Sequence, residues 1–272
     1  MKIALLQTPV GFDKQANVEN ARARVREAAH NGARLVVLPE MFCCPYSAQY
    51  FADYAEPAGG PVCQAMSRCA AENGVCLVAG SMPEIADGRI YNTSFVFGPD
   101  GSQLARHRKM HLFDVAFDGG QFFRESDTFT PGEEITTFTF EGITFGLCIC
   151  FDFRFPELSR LMALRGAQAT IVPAAFNMTT GPLHWETMFR QRATDDQVYT
   201  VGVAPARDEN GVYVSYANSI LCSPLGQILT RADADPCILY GDLDPDAVTA
   251  ARRQLPLFSA RRTDVYTICE QK

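Results

Sequence analysis

Cys150 closes the apolar stretch Gly146-Leu147-Cys148-Ile149-Cys150, and Phe151-Asp152-Phe153-Arg154-Phe155-Pro156-Glu157 follows at once. A buried strand ending there, with a charged tight connection and a helix opening at Pro156, sets a thiol on rigid backbone at the edge of a cleft. Such a thiol can attack a carbonyl carbon while the Phe151 N–H points at the developing oxyanion. For a cysteine taken at random the plainer reading is a small core hydrophobe, and that reading applies to most of the ten in this chain. Cys148 shares a face with Cys150 if the strand runs straight, so alternation leaves both open. Asp152, Arg154 and the turn favour Cys150.

A thiol becomes a nucleophile near neutral pH only beside a base or a cation. The histidines His30, His107, His111 and His184 stand in no recognisable cysteine-hydrolase context. Glu40 is the better base. It follows the strand expected over 34–38 and Pro39, where partial desolvation raises a carboxylate's pKa. The competing reading is a loop surface charge. Lys109, in Arg108-Lys109-Met110-His111-Leu112-Phe113, also follows a strand. A fixed ammonium there stabilises a thiolate and then an oxyanion, whereas the competing reading is a solvated basic face. Glu125, in Phe122-Phe123-Arg124-Glu125-Ser126, is placed to orient Lys109.

The elements that must hold these groups alternate as α/β layers. Residues 3–7 read as a strand, 14–31 as an amphipathic helix with Val18, Ala21, Val25 and Ala28 on one face, and 34–38 as a second buried strand. A helix is expected over 62–73 and a strand over 75–79. Strands over 91–97 and 103–107 are joined by Gly98-Pro99-Asp100-Gly101. Residues 109–132 lack periodicity and read as a long ordered loop. A hairpin over 135–149 turns at Glu141-Gly142. A helix over 156–165, a strand over 168–172 and a helix over 182–197 follow. Strands are expected near 199–204, 212–221, 227–230 and 237–243. A last helix starts at the Asp244 cap with Pro245 in first position. The segment from Gly32 to Glu40 is echoed by that from Gly166 to Ala174, each a strand end following a helix. The echo predicts one sandwich of two related halves, residues 1–272 forming a single domain.

The chain has 272 residues, 47% apolar and 20% charged, with a formal charge of −7. The negative charge argues against nonspecific binding to nucleic acid or anionic membrane, and no apolar run reaches the ~20 residues that span a bilayer. The opening Met1 to Pro9 reads as a core strand and not a signal peptide, so a cytoplasmic protein is expected. No two cysteines have Cys-x-x-Cys spacing, so the usual zinc and thioredoxin signatures are missing, and a reducing compartment follows.

Taken together, Leu38-Pro39-Glu40, Arg108-Lys109-Met110-His111-Leu112-Phe113 and Cys150-Phe151-Asp152-Phe153-Arg154-Phe155-Pro156-Glu157 resemble the nitrilase superfamily of carbon–nitrogen hydrolases, in order and in spacing. The resemblance runs from Ile3 to Tyr266. Its nearest branch looks like the omega-amidases, on the segments from Ala175 to Glu186, from Asp196 to Tyr199, from Ala204 to Asp208 and from Pro45 to Phe51. Phe151 departs from the tyrosine that many members carry there; the backbone N–H survives and a ring hydroxyl is lost.

The resemblance implies an α-β-β-α sandwich that forms a homodimer through a helical face, with no metal and no organic cofactor. It implies Glu40 as base, Cys150 as nucleophile, Lys109 and the Phe151 N–H as oxyanion donors, and Glu125 as auxiliary carboxylate. The substrates it implies are short dicarboxylic monoamides such as 2-oxoglutaramate and 2-oxosuccinamate. Their carboxylate needs a cation. Arg154 is the choice, since related carbamoyl-amino-acid hydrolases use an arginine at the matching position. Pairing of Arg154 with Asp152 or Glu157 stands equally open. Tyr46, Phe176, Thr179 and Trp185 are pocket candidates by resemblance.

Deaminated-glutathione amidase and carbamoyl-amide hydrolase are the alternatives within the superfamily, and the segment from Phe176 to Thr180 disfavours the first. A nonenzymatic module and a thiol redox sensor built on Cys148 with Cys150, or on Cys43-Cys44, are the alternatives outside it.

Overall fold

The computed structural model describes residues 1–116 and 122–271. The chain runs β1 (Lys2–Gln7), α1 (Lys14–His30), β2 (Leu35–Val37), α2 (Ala48–Tyr54), α3 (Pro61–Asn73), β3 (Cys76–Ala86), β4 (Arg89–Phe97) and β5 (Gln103–Arg108). A short pair, β6 (Asp114–Ala116) and β7 (Phe122–Arg124), comes next. Then follow β8 (Thr136–Phe140), β9 (Ile143–Leu147), α4 (Pro156–Leu164), β10 (Ala169–Pro173), α5 (Gly181–Asp196) and β11 (Tyr199–Val203). The described chain ends with β12 (Ile220–Cys222), β13 (Ile228–Arg231), β14 (Cys237–Asp242) and α6 (Pro245–Gln254).

The strands form two six-stranded sheets, ordered β14-β1-β2-β3-β4-β5 and β13-β12-β11-β10-β9-β8. Alternation decides the layering, because successive side chains on a strand face opposite ways. Ile3, Leu5, Leu35, Val37 and Val78 pack between the sheets against Phe145, Leu147, Ile171, Val201 and Leu221. Their neighbours Ala4, Leu6, Val36 and Leu77 face outward onto Val18, Ala21 and Val25 of α1 and onto Met66 and Ala70 of α3. In the second sheet Val172 and Ala174 face Met162 of α4 and Trp185 and Phe189 of α5. Helix, sheet, sheet, helix is therefore the order of layers, as the sequence predicts.

The internal echo has a structural counterpart. Strands β1, β2 and β3 run parallel with β2 central, and β9, β10 and β11 run parallel with β10 central.

Two expectations need correction, and one element was missed. The strand expected over 212–221 is confined to Ile220–Cys222. Ala217 and Asn218 have φ of 57° and 61°, and Arg207 draws the Ser215 and Tyr216 carbonyls away from any ladder. The long loop contains β6 and β7, although its residues 117–121 lie outside the described ones. Helix α2 carries no sequence signal strong enough to predict it.

Candidate active site

Glu40, Lys109 and Cys150 each leave the carboxyl end of a strand, where ligands gather in open parallel sheets. The turn after β2 is held by a bulge in β3. Met41 takes φ 53°, its N–H donates to Ser81 Oγ at 3.1 Å, and the Phe42 N–H donates to Ser81 O at 3.2 Å. Gly80 permits this, since any Cβ there collides with the Pro39 carbonyl. Lys109 is fixed from β4, its N–H donating to Asn92 O at 2.8 Å.

Lys109 is fully buried between two carboxylates. Its Nζ donates to Glu40 Oε1 at 2.9 Å and to Glu125 Oε1 at 2.9 Å. Burial alone pushes this ammonium's pKa down, but the charges of Glu125 and Glu40 outweigh it and hold the group cationic. An ammonium carries three N–H donors, two of which serve Glu40 Oε1 and Glu125 Oε1, and Nζ also lies 2.9 Å from Glu125 Oε2. Glu125 is pinned by the Tyr46 hydroxyl at 2.7 Å on Oε1 and by the Phe113 N–H at 2.7 Å on Oε2. Glu40 Oε1 also accepts from Asn92 Nδ2 at 2.9 Å, while Oε2 is buried and takes no hydrogen bond among the described residues. Burial raises the Glu40 carboxyl above its ordinary range, Lys109 opposes the rise, and Glu125 adds to it.

Cys150 begins a 3-10 turn, Cys150–Arg154, with φ 47°. β9 stops at Leu147, so the straight strand that would align Cys148 with Cys150 does not exist. Cys148 is fully buried under α4 and α5, whereas Cys150 lines a small cavity with Phe151, Arg154, Ala175, Phe176, Asn177, Thr180 and Tyr213. Burial and the neighbouring Glu40 charge push the Cys150 thiol well up, partly offset by Lys109 and by the Ala175 backbone. A thiol pushed up beside a carboxyl group suits proton transfer during attack and not a standing thiolate. As second residue of the turn, Phe151 has an N–H with no intrahelical acceptor among the described residues.

Asp152 ties the nucleophile's turn to the lysine's strand. Its Oδ2 accepts from the Ile149 N–H at 3.0 Å and lies 2.9 Å from His107 Nε2. Its Oδ1 accepts from the N–H groups of Met110 at 3.1 Å and His111 at 2.8 Å and lies 2.9 Å from His111 Nδ1. Burial disfavours this charge, yet the hydrogen bonds from His107 and His111 hold the carboxyl well below the usual range. Sequence reading counted Asp152 only as a neighbour of Cys150 and a possible partner of Arg154.

Arg154 pairs with neither Asp152 nor Glu157. Its guanidinium packs 4.7 Å from the Phe176 ring centroid and donates to His184 Nδ1 at 3.0 Å, with no carboxylate bound to it among the described residues. Phe176 lines the cavity as expected. Thr179 does not. It is exposed, and its neighbour Thr180 takes the place, bonded through N and Oγ1 to Asn177 Oδ1. Trp185 is core. Its Nε1 donates to Asn218 O at 2.7 Å, and its ring backs Phe176 at 5.0 Å. Tyr46 holds Glu125 and lines a separate cavity of about 210 Å³ with Glu40 and Tyr213. Asn92 and Tyr213 escaped the sequence reading. A buried Asn within the apolar β4 pattern was the available signal for the first, and the irregular segment around Tyr213 offered none.

The chain is similar to known proteins along its whole length. Residues 2–253 match the carbon–nitrogen hydrolase family model. The chain is 45% identical over 271 residues to omega-amidase NIT2 of Mus musculus, covering 100% of this chain and 98% of that protein. The crystal structure of Saccharomyces cerevisiae Nit3, a member of branch 10 of the nitrilase superfamily, superposes with a TM-score of 0.89 at 39% identity, covering 96% of each chain. An amidase mutant from Nesterenkonia sp. AN1, with the acetamide moiety of fluoroacetamide added covalently at its active site cysteine, superposes with a TM-score of 0.79 at 26% identity, covering 97% of this chain and 95% of that one. This protein belongs to the carbon–nitrogen hydrolase family.

Proposed function

We propose that this hydrolase is an omega-amidase, cleaving the terminal amide of short dicarboxylic monoamides, with 2-oxoglutaramate and 2-oxosuccinamate as substrates. The observation that carries the reading is one buried cluster in which Glu40 bonds Lys109 and shares its surroundings with the Cys150 thiol, beside an arginine bound to no carboxylate among the described residues. The whole-chain likeness to omega-amidase NIT2 supports the substrate class.

The chemistry closes on these groups. Glu40 takes the thiol proton as Cys150 Sγ adds to the amide carbon. The remaining Lys109 donor and the Phe151 N–H hold the oxyanion. Glu40 passes its proton to the amide nitrogen, the C–N bond breaks, ammonia leaves and a thioester remains. Glu40 then takes a proton from water as the oxygen adds to the thioester, and collapse of that intermediate expels the thiolate, which recovers the proton from Glu40. The balance needs no metal and no organic cofactor. Arg154 holds the far carboxylate of the substrate, with Phe176 beneath its guanidinium and Tyr46 acting through Glu125.

Ammonia release from 2-oxoglutaramate, deaminated glutathione and carbamoyl amino acids tests the substrate, with 2-oxoglutaramate expected to turn over best. No ammonia from it, with release from another of the panel, would replace the assignment. Cys150→Ser tests the nucleophile. Turnover should fall by at least about 10³-fold with folding retained, and wild-type rates in that variant would sink the mechanism.

The same reading includes a cytoplasmic homodimer of one-domain subunits that binds neither nucleic acid nor membrane. Free cysteines throughout support a reducing compartment. The formal charge of −7 fits the lack of nucleic-acid binding, and no described helix is long and apolar enough to cross a membrane. Leu183 on α5 is largely exposed, as a residue of a helical contact face must be.

A further inference from the structure

We propose that Asn92 is a positioning residue that assigns the two oxygens of Glu40 to different tasks, Oε1 to holding Lys109 and Oε2 to moving protons. The inference rests on the reading of Glu40 as the base and goes beyond it to a residue outside the reacting groups.

Asn92 lies fully buried in β4, between β3 and β5. Its main chain and its side chain act on two different members of the site. Its carbonyl accepts the Lys109 N–H at 2.8 Å, which fixes where the lysine leaves β5. Its Nδ2 donates to Glu40 Oε1 at 2.9 Å, the same oxygen that accepts Lys109 Nζ at 2.9 Å. A carboxylate only accepts, so the amide orientation is fixed by chemistry. Oε1 thus carries two donors, one of them charged, while the equally buried Oε2 carries none among the described residues.

Two donors on one oxygen leave the other as the oxygen with lone pairs to spare. They also stop the carboxylate from turning to share Lys109 between both oxygens. Asn92 stabilises the ionised carboxylate as well, since a donor aimed at the charged form favours it. One neutral side chain therefore sets both the direction of the base and the pH at which it becomes available.

The test uses the full-length protein with Asn92→Ala and Asn92→Asp, reading kcat, KM and the acid limb of kcat/KM on the best amide substrate. Asn92→Ala should move the acid limb up by roughly one pH unit, the scale of one lost hydrogen bond to a charged group, with kcat reduced and KM little changed. Asn92→Asp is nearly isosteric, yet it sets two carboxyls against each other that must share a proton. Its limb should lie higher still, giving the order wild type, Ala, Asp. A packing role predicts the reverse, with the isosteric variant milder. An unmoved limb in both variants, or a limb in Asn92→Asp closer to wild type than that of Asn92→Ala, overturns the proposal.

The pH dependence of Cys150 alkylation by iodoacetamide gives a readout that needs no turnover, and the same order is expected. Cys150→Ser and Glu40→Gln serve as the separating controls. Full activity in either means that the reading of the site fails. If both are inactive while the Asn92 limbs stay put, the failure belongs to Asn92.

Discussion

Lys109 is tolerable at full burial because a carboxylate sits on each side of it. Lys109→Met would leave Glu40 and Glu125 facing each other without a cation. Urea unfolding should show a loss of about 3–5 kcal/mol, together with lost turnover. The pH dependence follows from Glu40. Burial raises its carboxyl, and the base must be ionised to act, so activity falls as pH drops through a midpoint above the ordinary glutamate value of about 4.3. A kcat/KM profile on the best substrate checks this. Arg154→Gln should raise KM for a carboxylated amide by roughly 10–100-fold, the scale of a hydrogen bond to a charge, and leave a neutral amide nearly unaffected. The proposed catalytic residues were legible at this scale because Glu40, Lys109 and Cys150 stand at strand ends in the order that the resembled family uses, whereas alternation alone left Cys148 and Cys150 open. Asp152 was legible as a residue but not as a hub, since its partners His107 and His111 come from another sheet's edge.

At the scale of elements, the turn after β9 and the segment after β5 form one unit through Asp152. Asp152→Asn would aim amide hydrogens at N–H donors already pointing there and should cost about 3 kcal/mol. The folded carboxyl is held below its unfolded value, so its stabilisation is complete above the unfolded pKa of about 3.9 and is lost as pH falls through the folded value. The urea midpoints of wild type and Asp152→Asn should therefore converge in acid. Packing of α5 on β11 gives a second test. A Cβ on Gly202 would enter the Phe189 ring, and Gly202→Ala should lose about 1–3 kcal/mol in thermal or urea unfolding. Strands and amphipathic helices could be read from alternation because their buried faces are continuous. The segment around Tyr213 could not, because its backbone is held by Arg207 and by the Tyr213 hydroxyl on Ala175 O, contacts that leave no periodic trace.

At the scale of the whole molecule, apolar surface between the two sheets is joined by polar contacts at its margins. His107 links β5 to the second sheet through Thr136 Oγ1, 3.0 Å from Nδ1, and Arg34 reaches Glu141 at the β8–β9 turn. The strand–helix echo in the sequence foretold paired halves, since the same physical demand, a parallel strand buried on both faces, recurs in each. If Leu183 lies in the subunit contact, Leu183→Glu should shift sedimentation from dimer to monomer, and an unchanged dimer would place the interface elsewhere.

The pairing of β1 with β14 has a consequence for how the chain is made. Lys2–Gln7 lies antiparallel to Cys237–Asp242, and the Gln7 side chain bonds to Ser219 and to the carbonyls of Asp233 and Asp235. During synthesis the outer edge of the first strand therefore stays unpaired until more than two hundred further residues have been made, although β2 can join its other edge early. Contacts so distant in sequence close slowly, whereas β9, β10 and β11 are near neighbours and can assemble sooner. A ribosome-stalled chain halted near residue 235, with β1 lacking its partner β14, should bind chaperones more than a released chain that includes β14.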